Sequence, residues 1–540
     1  MKVCTLVASA AAMVVVMSTS STVAISQAQT TTPPTGVELF RPQFHFTPAV
    51  NWMNDPNGLV FFQGEYHLFY QYNPSANTWG HMSWGHAVSR DLVHWQHLPL
   101  AIPELGDEMV FSGSAVVDVT NSSGFGKNGE PPLVAIYTAH NQVKRRQAQA
   151  LAYSTDRGRT WTRYAKNPVL DRGLADFRDP KVFWHAATQR WIMAVVRSPD
   201  HRVQLFGSPD LKQWSLLSDF GPAGAIGGVW ECPDLFPLPV DGDPTRTRWV
   251  MVVNLNPGAV AGGSGTQYFV GAFDGTRFTT DLAAQGTAQP LWADFGKDFY
   301  AAVSWSNDPR ADGRRTWIGW MNNWGYANFI PTSPWRSAQS VPRVLSLRTT
   351  PAGVRLVQEP VGALTQLRGA VQHVAAQTII AGTHLLSASG ATSAANSAVS
   401  GSAIDIVAEF DAGTAAEFGL VVRAGINEET VIGVDRATKR LYVDRTRAGQ
   451  STFHPTFASR QYAPIRLTNG RVRVRVLVDW SSVEVFADDG EVVITDQLFP
   501  SATSAGVALF AKGGTAKLVS MDAWPMASAL AAGAASSGSR

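Results

Sequence analysis

The chain has 540 residues, 45% of them hydrophobic and 16% charged, with a formal net charge of +2. That length exceeds what one hydrophobic core usually organises, so two domains are expected, and the composition is that of a folded globular protein. The near-neutral balance excludes a general preference for polyanions, so no nucleic-acid partner is assigned.

Lys2 is followed by an apolar run through Val14-Val15-Val16-Met17, then by polar Ser and Thr and by Ser26-Gln27-Ala28. This order predicts a secretory signal peptide over residues 1–28, with cleavage after Ala28. The competing reading is a membrane anchor, but the run is shorter than the roughly 20 residues a bilayer requires. The mature protein is therefore expected to be extracellular, with no membrane partner. Cys4 leaves with the signal, so Cys232 remains alone and no intramolecular disulfide forms. Asn121-Ser122-Ser123 is a glycosylation sequon.

After an extended leader at residues 30–38, the stretch Asn51-Trp52-Met53-Asn54-Asp55-Pro56-Asn57-Gly58 concentrates turn-forming residues ahead of Leu59-Val60-Phe61-Phe62. It predicts a sharp bend that holds Asp55 rigidly at the start of a strand. Short strands follow, at Tyr66–Tyr72, Leu133–Thr138, Gln149–Ser154, Trp191–Val196, Trp249–Val253 and Thr316–Met321, with no amphipathic helix of useful length between them. A small motif recurs at Ser89-Arg90-Asp91, Ser154-Thr155-Asp156 and Ser208-Pro209-Asp210, each followed by a Trp, and the Asp positions are spaced by 65 and 54 residues. Each reads as a hairpin tip in which the Asp caps the turn. Repetition on that scale points to a β-propeller over residues 40–350, with about five blades of roughly 60 residues. The alternative is an irregular β-sandwich with similar hairpins.

Sixteen of the 18 Trp lie between Trp52 and Trp335, so the remainder of the chain has a different kind of core. Residues 351–370 read as a linker and 371–526 as a β-sandwich, whose clearest strand is the alternating run Arg471–Val478. Ser387–Ser402 reads as an exposed Ser/Ala/Gly loop, and 527–540 as a disordered tail. The fold class is thus all-β, a five-bladed propeller followed by a C-terminal β-sandwich.

Three carboxylates have unusual neighbours. Asp179, in Phe177-Arg178-Asp179-Pro180, sits at a turn before a strand; Arg178–Asp179 could equally be a structural ion pair. Glu231 lies between Trp230 and Cys232, and apolar neighbours would raise its pKa. Glu231 is therefore the candidate proton donor and Asp55, among polar groups, the candidate nucleophile, two carboxyls with the divergent environments a glycosidase needs. Six of the 12 His fall between His45 and His97, but no metal-ligand spacing occurs among them. No metal and no cofactor are assigned.

Taken together and in this order, Asn51–Gly58, Phe177–Pro180 and Trp230–Cys232 resemble the three signature blocks of glycoside hydrolase family 32, the β-fructofuranosidases that include invertases, inulinases and levanases. Phe111-Ser112-Gly113-Ser114, Asp298-Phe299-Tyr300-Ala301 and Ile318–Trp324 are similar to further family stretches. So is Val478–Phe486, where Trp480 replaces a usual basic residue. The resemblance spans Arg41 to about Trp524 and implies the propeller-plus-sandwich fold. It implies Asp55 as nucleophile, Glu231 as general acid/base and Asp179 as transition-state stabiliser. It also implies that Asn54, Gln71, Trp79, Phe111, Ser112 and Arg178 hold a terminal fructose, with Trp320 walling the pocket. The substrates implied are fructans or sucrose, hydrolysed with retention. Asp at position 55 and the Gly325–Trp335 stretch are more similar to exo-acting members than to endo-acting ones or invertases. Neither the linkage preference nor an oligomeric state follows from the sequence. An invertase or fructosyltransferase with the same catalytic trio and a non-catalytic fructan-binding protein are the alternatives, the last disfavoured because all three carboxylates are present.

Overall fold

The computed structural model describes residues 38–281, 286, 289–310, 312–386 and 399–530. The expected signal peptide lies outside the described residues, as do positions 387–398 of the expected Ser/Ala/Gly loop and 531–540 of the expected tail. Among the described residues the structure is all-β, with helices limited to 3-10 turns of three to six residues.

The N-terminal part is a succession of antiparallel meanders. Strands β1–β4 (Asn51–Phe62, Glu65–Asn73, Ser83–Ser89, Trp95–Ile102) form the first, and β5–β8 (Glu108–Val117, Leu133–Asn141, Arg146–Ser154, Thr162–Arg163) the second. Strands β9–β12 (Phe177–His185, Arg190–Arg197, Arg202–Ser208, Ser215–Phe220) form the third, and β13–β16 (Val229–Val240, Asp243–Asn256, Gly265–Phe273, Phe278–Thr280) begin the next. That sheet also takes in β17 (Leu291–Trp292), β18 (Tyr300–Ser304), β19 (Arg315–Met321), β21 (Ala338–Gln339), β22 (Arg343–Thr350) and β23 (Gly353–Pro360). It crosses from β13 to β22 by a single parallel pairing, Val240 with Leu347. The short β20 (Trp335–Arg336) returns to pair with β1. The leading strands pack against one another in a closed circuit: β1 on β5, β5 on β9, β9 on β13, β13 on β18 and β18 on β1.

The recurrent Ser-x-Asp motif occupies the connection between the third and fourth strands of three meanders. In each, the Ser hydroxyl bonds the Asp carboxylate (3.0, 2.7 and 3.2 Å), and the Asp accepts from backbone N–H groups further on. The residue after the Asp is left-handed in all three, Leu92, Arg157 and Leu211 at φ 69°, 59° and 63°. The Asp thus satisfies the donors that this tight reversal would otherwise leave unpaired.

The C-terminal part stacks a seven-stranded sheet on a six-stranded one. Its core is aliphatic, built from Ile404, Ile406, Leu420, Val474, Val485 and their neighbours, which explains why Trp is scarce there. The expected linker is mostly structured. Gly353–Pro360 pairs along its length with Arg343–Thr350, and Leu364 and Leu367 are buried in the 3-10 helix that follows. Pro351 and Pro360 mark the ends of a hairpin strand, positions where a missing N–H costs no ladder bond. The expected disorder does not begin at 527 either: Ala527 N–H donates to Leu367 O and Ala529 N–H to Gln43 O, both at 2.8 Å.

Charged groups tie the two parts together. His45 is held between Asp479 and Glu484, 2.8 Å from each. Buried Arg343 reaches Glu484 (2.5 Å) and Asp294 (3.0 Å), and buried Arg445 reaches Asp298 (2.5 Å).

Candidate active site

Asn54, Asp55, Phe111, Ser112, Arg178, Asp179 and Glu231 sit on the leading strands, and every one of the leading strands breaks register at that end. In β1 the pairing with β2 slips between Met53 and Pro56, and again between Asn57 and Val60. The β5 slip falls between Val110 and Gly113, and in β9 Asp179 and Pro180 face an unmatched Val195. Slips between Glu231 and Asp234 in β13, and between Tyr300 and Val303 in β18, complete the set. A bulge adds a residue to one strand and re-aims the side chains around it. Asp179, Cys232 and Ala301 accordingly have φ of 65°, 42° and 52°, and Gly58 has 54°. Two of the bulges carry an X-Pro pair (Asp179-Pro180, Cys232-Pro233), and Pro fits because a bulged residue has no ladder bond to donate, whereas Pro56 directly follows the first β1 bulge and pairs with Tyr70.

This corrects two expectations. Asp55 does not stand on a turn ahead of a strand but inside the continuous strand β1, and Asp179 likewise lies within β9. Bulges and turns draw on the same residues (Gly for positive φ, Asn and Asp for local hydrogen bonds, Pro for the absent donor), so the composition alone did not separate them.

The re-aimed side chains converge. Ser112 Oγ donates to Asp55 Oδ2 (2.6 Å) and Asn54 Nδ2 to Asp55 Oδ1 (3.1 Å). The Cys232 thiol lies 3.5 Å from Asp55 Oδ2 and 3.7 Å from Asp179 Oδ2, and its backbone N–H donates to Asp179 Oδ2 at 2.9 Å. Arg178 Nε donates to Glu231 Oε1 (3.1 Å), while its Nη1 holds Asp176 and Gln147. The Tyr300 hydroxyl donates to Glu231 Oε2.

Electrostatics follow from burial and crowding. Burial pushes the Asp55 carboxyl above its ordinary value, with Ser112 opposing and Glu231 adding to the rise. Asp179 is raised to about 7, first by burial and then by the charges of Glu231 and Asp55, with Arg178 pulling the other way. Burial also raises Cys232, beside Asp179 and Asp55. Burial disfavours the Arg178 charge, but Glu231, Asp179 and Asp176 keep its pKa above the usual value. The arrangement is a tight group of carboxyls sharing one guanidinium, in which burial and mutual repulsion favour the protonated forms of Asp55 and Asp179.

The other expected residues divide. Gln71 is buried and donates to Val110 O (3.0 Å), tying β2 to the Phe111–Ser112 bulge. Phe111 stacks on His140 at 4.6 Å and meets Trp79 edge-on at 6.1 Å. Trp79, 42% exposed, stands at the rim. Trp320 is 0% exposed and packs on Trp52, Trp324 and Tyr300, so it backs the site from the core and does not wall it. Two further expectations are corrected. The Trp230 ring is buried in the core with Phe220 and Phe269, and the polar partners of Glu231 are Arg178 and Tyr300; its surroundings are not apolar. The thiol of Cys232 faces the two Asp, not Glu231. Tyr300 received no role from the sequence, although it stands in the Asp298–Ala301 block. The histidines grouped in the sequence are dispersed: His67 and His86 pair with each other, and His45 lies among the sandwich carboxylates.

Residues 45–360 match the family model for the glycosyl hydrolases family 32 N-terminal domain, and residues 363–525 match that for the family 32 C terminal. The chain belongs to glycosyl hydrolase family 32. It is a glycoside hydrolase of the propeller-and-sandwich type. It is 51% identical over 494 residues to a levanase of Bacillus subtilis, covering 91% of this chain and 71% of that one. It is 42% identical over 521 residues to an extracellular exo-inulinase of Aspergillus awamori, covering 91% and 95%. The crystal structure of the Aspergillus awamori exo-inulinase superposes with a TM-score of 0.85 at 41% identity, covering 91% of this chain and 99% of that one. The family 32 assignment thus rests on both halves of the chain as well as on the site.

Proposed function

We propose that this family 32 enzyme is an extracellular, exo-acting β-fructosidase that removes terminal non-reducing fructose from inulin or levan and also cleaves sucrose. Asp55 is the nucleophile and Glu231 the general acid/base of a retaining double displacement, and Asp179 with Arg178 binds sugar hydroxyls and stabilises the transition state. Asn54, Gln71, Phe111, Ser112 and Trp79 complete the fructose pocket. The convergence of Asp55, Asp179 and Glu231 from three separate bulged strands around Cys232 carries this reading. Two such carboxyls are what a retaining glycosidase uses, one to protonate the leaving group and one to attack. The relatives' names, levanase and extracellular exo-inulinase, support the substrate class and the compartment of this reading.

Two features support exo action on a five-bladed propeller. The leading strands close a circuit of five, and the void beneath the site, lined by Pro56, Ser112, Asp179, Lys181 and Cys232, is only about 10 Å³. A chain then enters by its end alone. The domain boundary belongs near residues 360–363, where β23 ends, and residues 1–28 are a cleaved signal.

A time course on inulin, levan and sucrose, with early products resolved by size, tests the reading. Free fructose should appear linearly from the first minutes while mean polymer length falls slowly. An early ladder of oligosaccharides without fructose overturns exo action, and activity confined to sucrose places the enzyme among invertases. Asp55→Asn should abolish turnover, and Glu231→Ala should be partly rescued by azide. An inverted first product would refute the retaining pair.

A further inference from the structure

A second cavity, of about 520 Å³, lies at the opposite end of the same leading strands. From Ser112, Asp179 and Glu231 the strands run on to Val116, Phe183 and Leu235, which line it. Four residues of strand separate the two ends, about 13 Å. Lys181 borders both this cavity and the small void beneath the carboxylates. The volume is in the range of small-molecule sites.

The cavity walls are aromatic and its inner end is cationic. Trp184, Trp191, Trp249 and Phe183 form the walls, and Trp184, 37% exposed, meets Trp191 edge-on at 5.2 Å. At the inner end, Lys181 Nζ lies 3.1 Å from Asp234 Oδ2 and donates to Ser304 O at 2.5 Å. Arg315 lines the cavity beside it. Its Nε and Nη2 donate only to Ser304 Oγ (3.3 Å) and Trp305 O (3.1 Å), and among the described residues no carboxylate stands within ion-pair distance of it. The nearby Asp308 is engaged by Arg310 and by the Thr316 N–H. Two cations therefore share one carboxylate. The Ser306 hydroxyl, which also lines the cavity, is buried and has no hydrogen-bond partner. A half-buried cation without its own ion pair and a buried hydroxyl without a partner are both costly, and both are satisfied by the same kind of guest.

We propose that this cavity is a binding site for a small organic carboxylate with a flat apolar body. The carboxylate takes the unpaired charge of Arg315 and the Ser306 hydroxyl, and the body lies among Trp184, Trp191 and Trp249. Neutral sugars satisfy the hydroxyl but leave the charge unmet, so this site is distinct in chemistry from the carboxylate-lined one.

Calorimetric titration of the whole protein with sodium benzoate, and separately with the neutral isostere benzyl alcohol, tests this. Benzoate should bind saturably below about 10 mM and at least about tenfold more tightly than benzyl alcohol, with no change on adding excess fructose. Arg315→Gln should weaken benzoate binding about tenfold and narrow its advantage over the alcohol. Trp184→Ala, at a partly exposed position away from the carboxylates, should weaken both ligands while leaving hydrolysis unchanged. The proposal falls if benzoate shows no saturable binding in that range, binds no better than benzyl alcohol, is displaced by fructose, or binds Trp184→Ala as well as the parent.

Discussion

Asp179 has an ordinary pKa of 3.8 and is raised to about 7, so the native chain holds this proton more tightly than the unfolded chain does. The stability it contributes is fully present below about 3.8 and is lost as pH rises through about 7. Asp179→Asn removes the charge, so it should raise Tm more at pH 8 than at pH 4, by up to about 4 kcal/mol of stability, while losing activity. An equal gain at both pH values would contradict the crowded-carboxyl account. Cys232 offers Asp55 and Asp179 only a weak thiol donor. Cys232→Ser supplies a stronger one, favours both ionised forms, and should move the acidic limb of the pH–rate profile down by up to about one unit. An unmoved acidic limb in an active mutant would reduce the thiol to packing.

At the scale of the element, the bulge is the device that makes the site. Regular strands would alternate Asn54, Asp55 and Pro56 between the two faces of a sheet; the slip in β1 instead brings Asn54 and Asp55 into mutual contact. Gly58 lies in the second slip of β1, between Asn57 and Val60, at φ 54°, and a Cβ there would meet Phe69 at 2.6 Å and Trp84 at 2.8 Å. Gly58→Ala should therefore cost about 2–4 kcal/mol, from the ring clash together with the left-handed backbone. It should also lower kcat through Asp55, although residue 58 is not among those that bond the carboxylates. Urea unfolding and initial rates on the same preparation measure both; a neutral Gly58→Ala would show the bulge to be tolerant.

Across the whole molecule, buried ions lock the meanders to the sandwich. Burial alone would lower the His45 pKa, but hydrogen bonds to Asp479 and Glu484 raise it to about 9 from 6.5. This stabilisation is fully present below about 6.5 and is lost as pH rises through about 9, at most about 3 kcal/mol. His45→Gln should be less stable than the parent at pH 6, and its Tm should fall less steeply between pH 6 and 10. Parallel Tm profiles would remove His45 from the coupling. Because Arg343 and Arg445 also bridge the two parts with fully buried partners, neither part is built to stand in water alone.

Local chemistry determined much of this. Alternation in Arg471–Val478 and the Ser-x-Asp tips each report on neighbours in sequence, and each placed its element correctly. Asp55, Asp179 and Glu231 stood out through their immediate neighbours and their order. What the sequence could not carry was direction. Whether Asp-Pro is a turn or a bulge depends on whether a partner strand continues past it. Whether Trp230 or Arg178 surrounds Glu231 depends on which face the slipped strand presents, and Trp320 reads as a wall until the core closes over it. Tyr300, 69 residues from Glu231, became its hydrogen-bond donor only when β18 was set beside β13. These are long-range pairings, fixed by the closure of the strand circuit, and no window of sequence contains both partners.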